Sequence, residues 1–213
     1  MEKEYSTKER IVGIATEIFT KQGFSKTTMD ELSAKIGISK KTLYKHFDSK
    51  ERLVREVVEK LMAETSSDVE KIVTGDNDEF IATIRKLFEY LPIRLERFGR
   101  FISGELKMCM PELWDEVDKF RREVGHKNIE RVIKKGIRAG LIRKDINTEL
   151  AVELYFNALV NTLTPENLIQ RRFTITALFD TFGKVFFEGM LTDEARKLKR
   201  AKDSRKRIAK KRV

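Results

Sequence analysis

Residues 28–53 read Thr28-Met29-Asp30-Glu31-Leu32-Ser33-Ala34-Lys35-Ile36-Gly37-Ile38-Ser39-Lys40-Lys41-Thr42-Leu43-Tyr44-Lys45-His46-Phe47-Asp48-Ser49-Lys50-Glu51-Arg52-Leu53. Thr28 and Glu31 have the spacing of a capping box, which opens a helix. Met29, Leu32 and Ile36 recur behind it at helical spacing. Gly37 closes that helix, because glycine enters the left-handed region at little cost. Ser39 then stands where it caps a third helix, Lys40–Phe47, after a turn of about three residues. Two short helices joined through glycine at this distance make a helix-turn-helix. Asp48 and Glu51 repeat the box spacing ahead of a long fourth helix carrying Leu53, Val54, Val57, Leu61, Met62, Val69 and Ile72.

The third helix divides cleanly. Leu43 and Phe47 are four apart and share a face, which packs inward. The rest of its surface offers Lys40, Lys41, Thr42, Tyr44, Lys45 and His46, all able to donate to phosphate oxygens or base edges. A recognition helix needs that division: one apolar edge to anchor it, the remainder free to enter a groove. Thr28 and Lys50 stand at the starts of helices two and four, where backbone N–H groups help hold phosphate.

Upstream, Ser6-Thr7-Lys8-Glu9 has capping-box spacing, and Ile11, Ile14, Ala15, Ile18 and Phe19 form one stripe that ends before Gly23. This predicts a first helix over Thr7–Gln22. Downstream, Gly75-Asp76-Asn77-Asp78 is the clearest break in the chain. Helical stripes follow: Phe80 to Leu91, which Pro92 should end or kink; Phe101 to Cys109; Leu113 to Ile137; Leu150 to Leu159; and Leu168 to Phe186. No strand alternation and no repeat is visible. The fold expected is all-α with about nine helices. It comprises an N-terminal helix-turn-helix domain (1–52, the motif about 30–49), a C-terminal helical domain for ligand binding and dimerisation (53–191) and a basic tail (192–213).

Charge supports a polyanionic partner. The chain of 213 residues carries a formal +10, and residues 191–213 hold 11 Lys/Arg against 3 Asp/Glu. Residues 35–55 hold seven Lys/Arg against two acids. Such patches attract nucleic acid or an acidic membrane surface. A merely solvated surface is the competing reading of any single patch, and of the tail above all. No stretch approaches the roughly 18 apolar residues of a membrane span. The charged start, Met1-Glu2-Lys3-Glu4-Tyr5, is unlike a secretory signal. A single Cys109 excludes an internal disulfide and suits a cytoplasmic location; its apolar stripe points to a buried structural role. Two histidines, and the absence of HExxH, GxGxxG and GxxxxGK[ST], leave an enzyme reading without a positive feature, so no catalytic residue, metal or cofactor is expected.

Residues 28–53, with Ile18-Phe19, Gly23-Phe24 and Thr27 upstream, resemble the DNA-binding domain of TetR-type (tetracycline-repressor-like) transcriptional regulators. The resemblance covers roughly 7–67, and Leu-Tyr-x-His-Phe-x-x-Lys-Glu after a Gly-x-Ser turn carries it. It implies a cytoplasmic homodimer that represses transcription from palindromic DNA operators in response to a small-molecule effector. Helix three of each subunit would enter a major groove, and helix four would move when the effector binds. By the same resemblance Thr28, Tyr44, His46 and Lys50 contact phosphate, Lys40, Lys41, Thr42 and Lys45 lie nearer the bases, and Ser39 caps helix three beside a phosphate.

Beyond residue 67 the chain matches only in length and helicity. Phe88, Phe98, Phe101, Trp114, Phe120, Tyr155 and Phe156 are candidates to line an apolar effector pocket, although aromatics at helical spacing more often build plain core. Leu150, Leu154, Phe173, Phe179, Phe182 and Phe186 are candidates for a dimer interface. Two other readings stay open: a basic helical module for another acidic partner, and an enzyme that retains an ancestral helix-turn-helix.

Overall fold

The computed structural model describes residues 6–75, 80–100, 105–164, 167 and 173–197, the side chains of 98–100 excepted. The helices are α1 (Thr7–Gln22), α2 (Met29–Ile36), α3 (Lys40–His46), α4 (Lys50–Thr74), α5 (Phe80–Arg100), α6 (Leu106–Cys109), α7 (Pro111–Arg138), α8 (Thr148–Thr162) and α9 (Ile175–Phe182). A π-helical turn (Gly183–Phe187) carries α9 into α10 (Glu188–Met190). Among the described residues the protein is all-α, with one isolated antiparallel bridge between Ile142 and Leu191. No described helix is long and apolar enough to cross a membrane.

The short N-terminal helices are set by their caps. The Ser6 hydroxyl accepts from Glu9 N, and the Glu9 carboxylate accepts from Ser6 N, closing the first box. Thr28 and Glu31 do the same for α2. The cap of α4 is Ser49, whose hydroxyl accepts from Arg52 N at 3.1 Å, and not the Asp48 expected from the box spacing. Both residues are good caps, and the sequence offers them side by side. Helix α3 ends at His46, with Phe47 as its C-cap.

The chain forms two compact units: residues 1–67, 94–121 and 164–172, and residues 68–93, 122–163 and 173–213. This differs from a linear division at residue 52. Leu53, Val54, Val57, Val58 and Leu61 of α4 join Phe19, Leu32, Leu43 and Phe47 in one buried cluster, as do Leu106, Leu113 and Val117. The head therefore borrows part of its interior from sequence some 50 positions downstream, as a small bundle with little volume of its own must do.

The second unit is packed with aromatics. Phe88 meets Phe179 and Phe187 edge-on at 5.9 and 5.5 Å. Tyr155 meets Phe182, Phe186 and Phe187 in the same way. Burial pushes the Tyr155 phenol well above its ordinary range. After α7, Arg143 N donates to Met190 O and Thr192 N to Leu141 O, tying the end of α10 to the α7–α8 loop.

Three expectations are corrected. Pro92 does not end α5, which runs on from Phe80 to Arg100. Contacts to α4 hold the helix on both sides of it: Tyr90 donates to Asp68 at 3.0 Å, and Arg94 donates to Leu61 O, Glu64 and Thr65. Cys109 is exposed, because α6 is a single turn and only Leu106 reaches the core. Phe179 and Phe182 are buried within one chain, so neither is spare for a partner.

Candidate nucleic-acid interface

The turn between α2 and α3 is built by Gly37 and Ser39. Gly37 adopts φ 74° and ψ 39°, a left-handed conformation that only glycine takes without strain. Its N–H donates to Ser33 O and Ala34 O, and Ile38 N donates to Ser33 O, so the end of α2 is satisfied within the turn. The Ser39 hydroxyl accepts from Thr42 N at 3.0 Å and lies 2.8 Å from the Thr42 hydroxyl. A one-turn-longer linker would lose this geometry, because α3 has only seven residues in which to find its anchor.

That anchor is Leu43 and Phe47, which are 0% and 1% exposed. The opposite side of α3 is open. Lys40, Lys41 and Lys45 are exposed, Tyr44 is 49% exposed, and Thr42 and His46 are half-buried at the flanks. Among the described residues Lys41, Tyr44 and Lys45 have no hydrogen bond or ion pair. Thr28 is exposed at the start of α2, and Lys50 is half-buried at the start of α4. The Thr28 hydroxyl accepts from Glu31 N, which leaves its own O–H free to donate outward. Lys50 Nζ donates to Ser25 O at 3.4 Å, so the α1–α2 loop and the start of α4 meet. The arrangement presents donors and positive charge on one side of α3. No described group of acids, His and Cys has the makings of a metal site.

Two partners of this surface carry no signal in the sequence. Asp30 of α2 holds Lys40 Nζ across the turn, ten positions away. Glu105 accepts from Phe24 N at 2.6 Å and Ser25 N at 3.0 Å, eighty positions away. Both are made by the fold alone. The Glu31 carboxyl is held below the usual carboxylate range by the backbone and hydroxyl of Thr28.

Comparison with known proteins meets this geometry at the same residues. Positions 11–57, which span α1 to the first part of α4, match the family described as "Bacterial regulatory proteins, tetR family". Those residues are a tetR-type DNA-binding domain. It is 27% identical to the uncharacterized HTH-type transcriptional regulator YvaF of Bacillus subtilis (strain 168) over 186 residues, covering 87% of this chain and 96% of that one. A TetR-family regulator from Mesorhizobium loti superposes with TM-score 0.62 at 25% identity, over 84% of this chain and 95% of that one. The regulator FadR from Bacillus subtilis, solved in complex with stearoyl-CoA, shares the fold at TM-score 0.58 and 18% identity, over 85% and 98% of the two chains.

The remaining candidates are dispersed. Phe88, Tyr155 and Phe156 belong to the second unit, whereas Trp114 and Phe120 belong to the first. Trp114 packs against the head's core, with the Arg121 guanidinium 6.0 Å from its ring centre. The Phe98 side chain and Phe101 lie outside the described residues, as do residues 198–213 of the tail. Leu150 and Leu154 are each 56% exposed, and Val185, which lies in the last apolar stripe but not among the interface candidates, is 63% exposed. Phe173 and Phe186 are half-buried.

Proposed function

We propose that this chain is a cytoplasmic, ligand-responsive TetR-type repressor that binds a palindromic operator as a homodimer. The observation that carries the reading is the two-sided α3, with Leu43 and Phe47 sealed inside and Lys41, Tyr44 and Lys45 outward. In this reading Thr28, Ser39, Tyr44, His46 and Lys50 contact phosphate. Lys40, Lys41, Thr42 and Lys45 lie nearer the base edges, in a major groove. Exposed Leu150, Leu154 and Val185, with Phe186 and Phe173 at the margin, support pairing of the second units. Isolated exposed apolar residues are ordinary, but three large ones on the last helices of one unit favour a partner surface. The protein acts by binding and not by catalysis.

The effector we propose is hydrophobic, held among the aromatics of the second unit around Phe88, Tyr155 and Phe156. The fold shared with a regulator solved with stearoyl-CoA supports that class without fixing it. A ligand favouring the conformer that fits DNA poorly shifts the population off the operator, by no more than its difference in affinity between the two states.

Selection of bound genomic fragments tests the assignment. A recovered palindrome whose half-sites are spaced by about one helical turn, or a small multiple, is the expected result. Recovery of unrelated fragments by wild type and Lys45→Ala alike overturns it. The mass in solution should be about twice the 24.9 kDa of one chain. The tail adds sequence-independent affinity: residues 198–213 carry nine Lys/Arg and one Asp. Truncation after Lys197 should flatten the salt dependence of binding, because fewer counterions are released. An unchanged slope removes that role.

A further inference from the structure

We infer that Glu105 is a positioning residue of the DNA-binding head, a carboxylate from beyond α5 that fixes the α1–α2 loop from which the phosphate contacts of Thr28 and Lys50 are set. The inference rests on the reading of residues 28–50 as the DNA contact. Glu105 Oε2 accepts from two successive backbone amides, Phe24 N at 2.6 Å and Ser25 N at 3.0 Å. Hydrogen bonds to an ionised acceptor are among the stronger kinds.

The sequence on both sides is shaped to this contact. Gly23 has φ 85°, and a Cβ there would lie 1.9 Å from Glu105 Oε1. A side chain at 23 is strained by conformation and would push the Glu105 carboxylate aside. Leu106, the next residue after Glu105, is 0% exposed within the head's core, so the backbone that carries the carboxylate is anchored. Phe24 is buried edge-on against Phe19, and Thr27, also fully buried, accepts from Gln22 and donates to Gly23 O.

The loop connects directly to the surface that faces DNA. Ser25, gripped at its N–H by Glu105, is gripped at its carbonyl by Lys50 Nζ. Thr28, the cap of α2, follows three residues later. One carboxylate thus sets the height of two phosphate contacts at once. An effector that shifts the segment around α6 acts on the head through this bond, with no movement of α3 within its own core required.

Bulk electrostatics predicts the opposite sign. Removing an acid from a head that binds a polyanion should tighten binding. The test therefore uses Glu105→Ala, Glu105→Gln and Glu105→Asp in the full chain, with a mixed-sequence duplex of about three helical turns as probe. Binding is measured across a salt series, with amide exchange at Phe24 and Ser25. Glu105→Ala should bind about tenfold more weakly, with a salt slope shallower by about one and faster exchange at both amides. Glu105→Gln, which keeps an acceptor oxygen but no charge, should stay near wild type. Glu105→Asp keeps the charge but falls one methylene short, and should weaken binding as Ala does. It carries the test should the Ala variant fail to fold. Tighter binding by both Ala and Gln, or unchanged affinity and slope for Ala and Asp beside altered thermal stability, overturns the inference. Lys45→Ala serves as control: if it binds the duplex as wild type does, the DNA-contact reading falls, whatever Glu105→Ala does.

Discussion

The two interiors of this protein are made of different material. The head is filled mainly by branched aliphatics, Ile11, Val12, Leu32, Ile36, Leu43, Leu53, Val54, Val57, Val58 and Leu61, with Phe19, Phe24 and Phe47 buried among them. The second unit buries more rings, Phe80, Tyr155, Phe156, Phe179, Phe182 and Phe187, beside aliphatics such as Val132, Ile133, Val152 and Leu178. Branched side chains are stiff at χ1 and interdigitate in few ways. Large rings meet edge-on across broad faces, and an apolar guest of similar shape competes for those same faces. A surface that must match a fixed duplex needs the first material, and a unit that must accommodate an effector benefits from the second.

The sharpest test of that contrast is a pair of core truncations. Leu43→Ala should cost about 2–5 kcal/mol in denaturant unfolding and abolish duplex binding, because α3 has one other anchor. Phe179→Ala should cost a similar amount, about 3–5 kcal/mol, yet leave duplex affinity near wild type at temperatures where the protein stays folded. Equal loss of DNA binding in both would mean that the interiors are not separable.

Next in size is Lys45→Ala, expected to weaken binding by about 1–3 kcal/mol, read as a shift in Kd. Lys135→Ala on α7, outside the head, should leave Kd unchanged.

The caps divide in the same way. Thr28 and Asn147 both accept from the N3 amide of their helices, Glu31 N and Leu150 N. Thr28→Ala and Asn147→Ala should each cost about 1 kcal/mol of stability. Only Thr28→Ala should also reduce the salt slope of DNA binding.

How far these features were readable in advance depends on their range. Ser6, Thr28 and Ser39 were legible as caps, and the Leu43/Phe47 face as buried, because such signals lie within one turn of the chain. At Asp48-Ser49 the local rule favoured the wrong neighbour, since both residues cap well. Pro92 misled for a different reason: a proline removes one N–H, but Tyr90 and Arg94 on either side bind α4 and carry α5 through. Phe179 and Phe182 read as surplus apolar area because the sequence does not reveal that Phe88 and Tyr155 would occupy them. The Asp30–Lys40 and Glu105–loop contacts are products of assembly, without periodicity or spacing to announce them.

The smallest expected effect is in pH dependence. Glu31 in the head and Asp145 in the second unit both titrate below their ordinary values, through hydrogen bonds from Thr28 and Arg143 respectively. A depressed folded value means that each contributes stability above the ordinary carboxylate range, near 4. That contribution fades as pH falls through the lower folded value. Glu31→Gln and Asp145→Asn should therefore each reduce the loss of stability between about pH 5 and pH 3. A slope identical to wild type in both would discount the two hydrogen bonds.

Asp30 is, in effect, a surrogate phosphate carried by the protein itself. Both side chains stay exposed, so Lys40 can leave Asp30 for the duplex at little cost. The price of engaging it is a liberated carboxylate close to the groove, and any base pair there able to donate a hydrogen, such as a cytosine amino group, would gain a partner that the resting head keeps occupied.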